Sequence, residues 1–331
     1  MSVPGWSWDA KHVLVAGGCG LIGSYLVPLL VSHGATVTVV DNADRGCQEN
    51  LERLKDEVNI IHGDLRDSAL CERVIRGQDV VMNLAARAYG MGYSRTHHGE
   101  MLIYNLLATF PILDAARRQG VERFLVVSSS CVYADDAPIP TPELPAFLGT
   151  PEGVNEGYGW AKRVQELAAT YYAREYGMNI NIVRPFNVYG ANYIWQSPEK
   201  AHVIPALVKK VMDGEDPLIV WGSGKQRRDF VHGYDAAQLI VRIMEKNPVA
   251  IPINVGYNDD VALTDLVDLI CDVTGLQPQV VFDTTKPEGH FRKSSDPTLL
   301  DNVTGGYKPQ VSLRQGIGEM VDWYKRSFQS A

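Results

Sequence analysis

The stretch HVLVAGGCGLIGSYL, residues 12–26, runs from an apolar pentapeptide through spaced glycines into a second apolar segment. HVLVA (12–16) predicts a buried strand, and LIGSYLVPLLVSHG (21–34) predicts a helix closed by Gly34. Between them Gly17, Gly20 and Gly23 permit a sharp turn and close backbone approach, with the helix N-terminus aimed at any anion placed there. Glycines of this kind also serve a tight turn with no ligand, so the context decides. The next run, ATVTVV (35–40), predicts a second strand that ends at Asp41, 18 residues beyond Gly23. That spacing suits a carboxylate on the ribose hydroxyls of a bound dinucleotide. A carboxylate there would repel a 2′-phosphate, which favours NAD over NADP. Asp64, in GDLRD, falls near the adenine; the plainer reading is a solvated turn.

Working outward, VNIIHGD (58–64), DVVMNLAA (79–86), VERFLVVSS (121–129) and NINIVRP (179–185) continue the strand series. Helical patterns lie between them, clearest over 101–119 and 158–176. Alternating strands and helices predict an α/β fold of Rossmann type, a doubly wound parallel sheet. After Gly190 the rhythm breaks. ANYIWQSPEK reads as loop, HVIPALVKKVMDG as helix, and PLIVWGSGKQRRDFVH as strand, turn, strand, with a last helix near 312–327. These features predict an NAD-binding domain over 1–190 and a smaller, discontinuous α/β substrate domain mainly over 191–331. A cleft between the two is the natural ligand site.

Composition excludes several other classes. A formal net charge of −8 argues against nucleic acid as a partner. The five cysteines, Cys19, Cys47, Cys71, Cys131 and Cys271, are scattered without a CxxC pair, and no His cluster has ligand spacing. That argues against a metal site or disulfide framework and fits a reducing cytoplasm. No stretch has the length and apolarity of a membrane span, and MSVPGWSWDAKH has no signal-peptide core.

GYGWAKR places Tyr158 and Lys162 four residues apart on one helical face. A tyrosine near its usual pKa of about 10 is a poor base at neutral pH. A neighbouring lysine cation and a positive nicotinamide would favour the phenolate. Ser129, 29 residues before Tyr158 at the end of a predicted strand, can hydrogen-bond the same substrate oxygen.

With these residues in place the chain resembles the extended short-chain dehydrogenase/reductase family, the nucleotide-sugar epimerases and dehydratases. The motifs that carry the resemblance are the turn 17–23, NLAA (83–86), SSSCVY (128–133), YGWAK (158–162), RPFNVYG (184–190) and RRDFVH (227–232). The resemblance implies a Ser129–Tyr158–Lys162 triad and a nucleoside-diphosphate sugar in the second domain. It implies NAD contacts from Gly17, Gly20, Leu21, Ile22, Gly23, Asp41, Asn42, Asp64, Leu65, Leu84, Ala85, Ala86, Asn105, Tyr158, Lys162 and Pro185. It also implies a homodimer paired through the helices at 101–119 and 158–176.

Two branches of that family resemble the chain further, the GDP-mannose 3,5-epimerases and the GDP-fucose synthases. Both are similar in having a cysteine at the position of Cys131. The segment at Lys200 resembles the catalytic-lysine segment of the first branch, and that at His202 the catalytic-histidine segment of the second. AYGMGYS (88–94) resembles the sugar-covering loop of the epimerases, whereas VWGSGKQRRDF and KPEGHFRKSSD look more like the synthases. Oxidising a sugar at carbon 4 acidifies the hydrogens on carbons 3 and 5, and inversion needs proton-transfer groups on both faces of the ring. Cys131, with Lys200 or His202, would be that pair. Expected substrate contacts are Gly90, Met91, Gly92, Ser130, Asn187, Lys200, Trp221, Arg228 and Arg292, the arginines suiting a diphosphate. The leading expectation is an NAD-dependent epimerase of a GDP-hexose acting through a transient 4-keto sugar. Alternatives are a GDP-4-keto-6-deoxymannose epimerase/reductase, a nucleotide-sugar 4-epimerase, a net dehydrogenase and a non-catalytic NAD-binding regulator.

Overall fold

Short apolar runs with no polar alternation form parallel sheets covered on both faces, and that is how this chain folds. The structure is a computed structural model, and it describes residues 6–192, 200–286 and 288–328. In chain order the first elements are β1 (His12–Ala16), α1 (Leu21–Ser32), β2 (Thr36–Asp41), β3 (Asn59–His62), α2 (Ser68–Val74) and β4 (Val80–Asn83). There follow α3 (Met91–Ser94), α4 (His98–Leu107), α5 (Phe110–Gln119), β5 (Arg123–Val127), α6 (Glu156–Tyr176), β6 (Ile180–Pro185) and β7 (Val188–Tyr189). The later part contains α7 (Val203–Met212), β8 (Leu218–Trp221), β9 (Arg227–Asp229), β10 (Val231–His232), α8 (Gly233–Lys246), β11 (Pro252–Val255) and β12 (Asp260–Ala262). It closes with α9 (Leu263–Thr274), β13 (Val280–Asp283), β14 (Arg292–Lys293), α10 (Thr298–Thr304) and α11 (Leu313–Phe328).

Seven strands make one parallel sheet in the order β11-β6-β5-β4-β1-β2-β3. The chain winds outward from β1 to β3, then crosses to β4 and winds the other way. The crevice at the carboxyl ends of β1 and β4 is therefore the switch point where such sheets take ligands. Successive side chains of β1 point to opposite faces. Val13 and Val15 pack with Leu26, Leu30, Leu239 and Ile243 of α1 and α8. Leu14 and Ala16 pack with Ile112, Ala116 and Ala169 of α5 and α6.

Two expectations are corrected. The single helix read over 101–119 is two helices, because Pro111 sits in the first turn of α5. There its missing N–H costs nothing, whereas inside a continuous helix it would remove a hydrogen bond. Second, residues 233–255 lie beyond the division expected at residue 190, yet α8 and β11 join the N-terminal sheet and its covering layer. The stretch read as loop over 191–200 falls largely on residues 193–199, outside the described residues.

The remaining segments build a second, smaller layer. Its core joins Ile204, Leu207 and Val211 of α7 to Leu266 and Ile270 of α9 and to Ile317 and Met320 of α11. The pairs β8–β13 and β9–β14 run parallel, and β12 runs antiparallel to β9. No helix among the described residues is long and apolar enough to cross a membrane.

Candidate active site

A cavity of about 580 Å³ runs from the glycine turn, across the sheet's carboxyl edge, into the second layer. Its first wall is mostly backbone. Gly17 has φ +74°, and a Cβ there would stand 2.8 Å from the Ala85 nitrogen. A Cβ on Gly23 would collide with the backbone of Gly18, so the turn closes only with glycine. Gly20 caps α1 without a side-chain hydrogen bond, and the first turn of α1 carries no acidic residue. These amide groups remain available to an anion.

Asp41 stands at the end of β2 and accepts hydrogen bonds from the Cys19 nitrogen (3.0 Å) and the Ala43 nitrogen (2.9 Å). Burial raises its pKa above the usual carboxylate value, and those amides oppose the rise. Asp64 accepts a bidentate contact from Arg66, which holds its carboxyl down at about 2. Asn42 donates to Tyr104 Oη at 2.8 Å. Leu21, Ile22, Leu65, Leu84, Ala85, Ala86 and Pro185 complete this wall. A glycine cradle, a helix start and a strand-end carboxylate fit a dinucleotide with free ribose hydroxyls. Asn105 is not part of the wall. It is fully buried, donates to the Met101 and Arg87 carbonyls and accepts from the Arg87 nitrogen, so it ties the segment that follows β4 to α4.

Ser129, Tyr158 and Lys162 line the middle of the cavity. Burial and the neighbouring Cys131 push the Tyr158 phenol above its usual value. Lys162 Nζ donates to the Val127 carbonyl (2.7 Å) and Gln165 Oε1 (3.0 Å), and lies 5.5 Å from the Tyr158 ring centre. Burial lowers its pKa to about 7. Ser128, one residue before Ser129, donates to Glu166, whose carboxylate holds Arg184 through 2.9 and 2.6 Å contacts. This buried pair fastens the β5 and β6 ends to the helix bearing Tyr158.

Cys131 and His202 also line the cavity. Burial, then Glu152, pushes the Cys131 thiol up to about 12, against the pull of Lys293. His202 Nε2 lies 3.0 Å from the Ala88 carbonyl, and burial depresses the imidazole to about 4. A carbonyl only accepts, so the neutral ring carries its proton on Nε2 and its lone pair on Nδ1.

Lys200 is placed differently. Its Nζ stands 4.9 and 5.1 Å from the ring centres of Tyr89 and Tyr93, and it does not line the cavity among the described residues. Its carbonyl accepts from the Gly90 nitrogen at 2.9 Å, and a Cβ on Gly90 would strike Ala201. Gly90, Met91 and Gly92 thus form a cavity wall pressed against the segment that begins at Lys200.

Arg292, expected at a diphosphate, faces away. Parallel pairing of β14 with β9 sets Arg292 beside Arg227 and Lys293 beside Arg228. Residues paired in this way share a face, and their neighbours take the other. Arg227 and Arg292 both bond Asp260, the latter at 2.7 Å. Arg228 and Lys293 line the cavity, with Asn187, Ser130 and Trp221. Lys293 and Glu152 carry strong local charge, and the motifs of the sequence single out neither. The alternation of RK in 292–293 is the available signal for Lys293; Glu152, in a loop six residues before Tyr158, has none.

Residues 13–256 match the model of the NAD dependent epimerase/dehydratase family. The chain is 30% identical over 331 residues to GDP-L-fucose synthase 1 of Arabidopsis thaliana, covering 98% of this chain and 96% of that protein. It is 27% identical over 333 residues to GDP-mannose 3,5-epimerase 1 of Oryza sativa subsp. japonica, covering 98% and 84%. Among solved structures it is similar to a UDP-glucose 4-epimerase of Thermus thermophilus in complex with NAD. The TM-score is 0.81 and the identity 26%, over 96% of this chain and 100% of that one.

Proposed function

The chain belongs to the NAD dependent epimerase/dehydratase family, and on that premise we propose that it epimerises a nucleoside-diphosphate hexose, a GDP-hexose being favoured, through a transient 4-keto sugar. The observation that carries this reading is the presence of Cys131 and His202 in the same cavity as Tyr158. When bound, NAD supplies hydride acceptance from carbon 4 of the sugar and hydride return to it. Tyr158 takes the proton of the carbon-4 hydroxyl and later gives it back, with Ser129 hydrogen-bonding the same oxygen. Lys162 favours the phenolate when charged.

The two flanking groups have environments that separate their roles. Cys131 rests as a thiol and donates a proton to the ring carbon. His202 rests as a neutral imidazole and accepts one from the opposite face. After each turnover the two have exchanged protonation states, and solvent resets them. Arg228, half-buried and lining the cavity, meets the diphosphate, while Lys200 braces the Gly90–Gly92 wall.

A second reading is a net reductase of a 4-keto sugar, favoured by the 30% identity to a GDP-L-fucose synthase and by His202 facing the cavity. Asp41 opposes it wherever the reductant is NADPH. Incubation with a panel of nucleotide sugars in heavy water tests both. Deuterium located by NMR on carbon 3 or 5, with nicotinamide absorbance unchanged, is the expected outcome. Stoichiometric loss of that absorbance would select the reductase. Exposed Ile103 and Leu107 on α4 and Tyr171 and Tyr176 on α6 support a homodimer through these helices. Sedimentation as a monomer would reject it. Five free cysteines support a cytoplasmic location.

A further inference from the structure

The cavity wall beside Cys131 is charged. Lys293 Nζ lies 3.5 Å from Cys131 Sγ and 3.0 Å from Glu152 Oε2. Glu152 is 5% exposed and also accepts from Asn155 Nδ2 at 2.8 Å. Its other oxygen faces His290 Nε2 at 3.8 Å, and that nitrogen is 2.6 Å from Asp135 Oδ1. The triad, the glycine turn and His202 account for none of these groups. An amine and a carboxylate closed on one another need no third partner, yet here the amine also touches the thiol, and all three line the cavity.

A thiol that protonates carbon leaves a negative charge on sulfur in a site largely screened from water. Such a charge is costly unless a cation is already beside it. The groups that act on Cys131 are Lys293, Glu152, Ser129 and Tyr158, with Lys162 deeper in the wall. Lys293 is the cation in contact with the sulfur. Its own ammonium is favoured by Cys131 and Glu152 against burial.

We propose that Lys293, fixed by Glu152, is the counter-ion that lets Cys131 carry charge during proton transfer. Both are positioning residues that act through Cys131. In the step they assist, the Cys131 S–H bond breaks and its electron pair stays on sulfur. The electron pair of the ring carbanion forms the new C–H bond. Solvent later returns a proton to sulfur. The identity of the carbon rests on the epimerase reading, whereas the effect on the sulfur does not.

The test follows alkylation of Cys131 by iodoacetamide across pH in the full chain, with the modified peptide quantified by mass spectrometry. Thiolate is the reacting form, so the rate reports its fraction. Lys293→Met is expected to move the profile up by about one pH unit, slowing the reaction about tenfold near pH 8.5, and Lys293→Arg to restore part of the rate. Glu152→Gln, nearly isosteric, is expected to move it down, because a negative charge beside the sulfur is lost. Cys47, held by Glu49, serves as the internal reference. Opposite shifts support the couple, since a mere packing defect moves both variants alike. Equal shifts, or none, overturn it. The heavy-water assay on the same proteins separates the two ideas. Opposite shifts without deuterium uptake in the unaltered protein leave the couple standing and remove the epimerase reading. Uptake with unmoved profiles does the reverse.

Discussion

The two walls of the cavity are made of different material. From Gly17 to Asp41 the surface is backbone, a few apolar side chains and one carboxylate, supplied by a single β–α–β run. Across from it, Cys131, Glu152, His202, Arg228 and Lys293 come from five separate segments, and their charges are set against one another. The first wall depends on close approach: a methyl group too many at Gly17 or Gly23 closes it. The second depends on electrostatic balance, in which burial and neighbouring charges together set the protonation state of each side chain. One wall should tolerate changes of charge nearby and fail on changes of volume; the other should do the opposite.

The largest expected effect is at the junction of the two walls. Tyr158→Phe should lower turnover by about 10²- to 10⁴-fold while NAD stays bound, read by product formation and by retained nicotinamide absorbance. Full activity in that variant removes the triad from the reaction. Next comes the buried Arg184–Glu166 pair, both at 5% side-chain exposure or less. Glu166→Leu leaves an uncompensated guanidinium and should cost about 3–5 kcal/mol in urea unfolding. An unchanged midpoint would mean that the pair does not fasten β5 and β6 to α6.

On the backbone wall, Asp41→Ala should weaken NAD about 10- to 100-fold, as loss of hydrogen bonds to a charged group does, and NADP much less. Equal weakening of both in titration calorimetry would break the ribose assignment. On the side-chain wall, Arg228→Ala should raise KM at least about tenfold, whereas Arg292→Ala, which removes a partly exposed partner of Asp260 and leaves it Arg227, should stay within about threefold. The reverse ranking would mean that β14 presents the other face. The smallest signal is spectroscopic. With His202 depressed to about 4, its ring is uncharged at any pH above about 5, and its NMR shifts should stay flat between about pH 5.5 and 8. Titration near the usual value of about 6.5 would contradict its burial.

Much of the first wall was legible because its determinants are local. The spacing of Gly17, Gly20, Gly23 and Asp41 encodes one turn and one strand end, and the strands that follow are apolar runs bounded by turn residues. Tyr158 and Lys162 were legible for the same reason, since helix geometry alone puts positions four apart on one face. The break at Pro111 was also written locally, but the apolar period of 101–119 outweighed it. Arg292 shows how the second wall escapes such reading. Which of two adjacent cations enters the cavity depends on the register of a two-residue strand against β9, and a shift by one residue exchanges them.

The amino-acid sequence by itself determined the layered α/β architecture, the glycine turn, the strand-end carboxylate and the helix-borne Tyr158–Lys162 pair. Each follows from short-range periodicity and from the conformations that a few residue types allow. The tertiary structure alone decided that β11 completes the sheet, that His202 lines the cavity, and that Lys293 and Glu152 stand beside Cys131. Those facts depend on contacts between segments far apart in the chain, from 70 positions between paired residues of β6 and β11 to 162 between Cys131 and Lys293. Such contacts arise when packing brings distant surfaces together, and no local pattern in the chain encodes the distance between them.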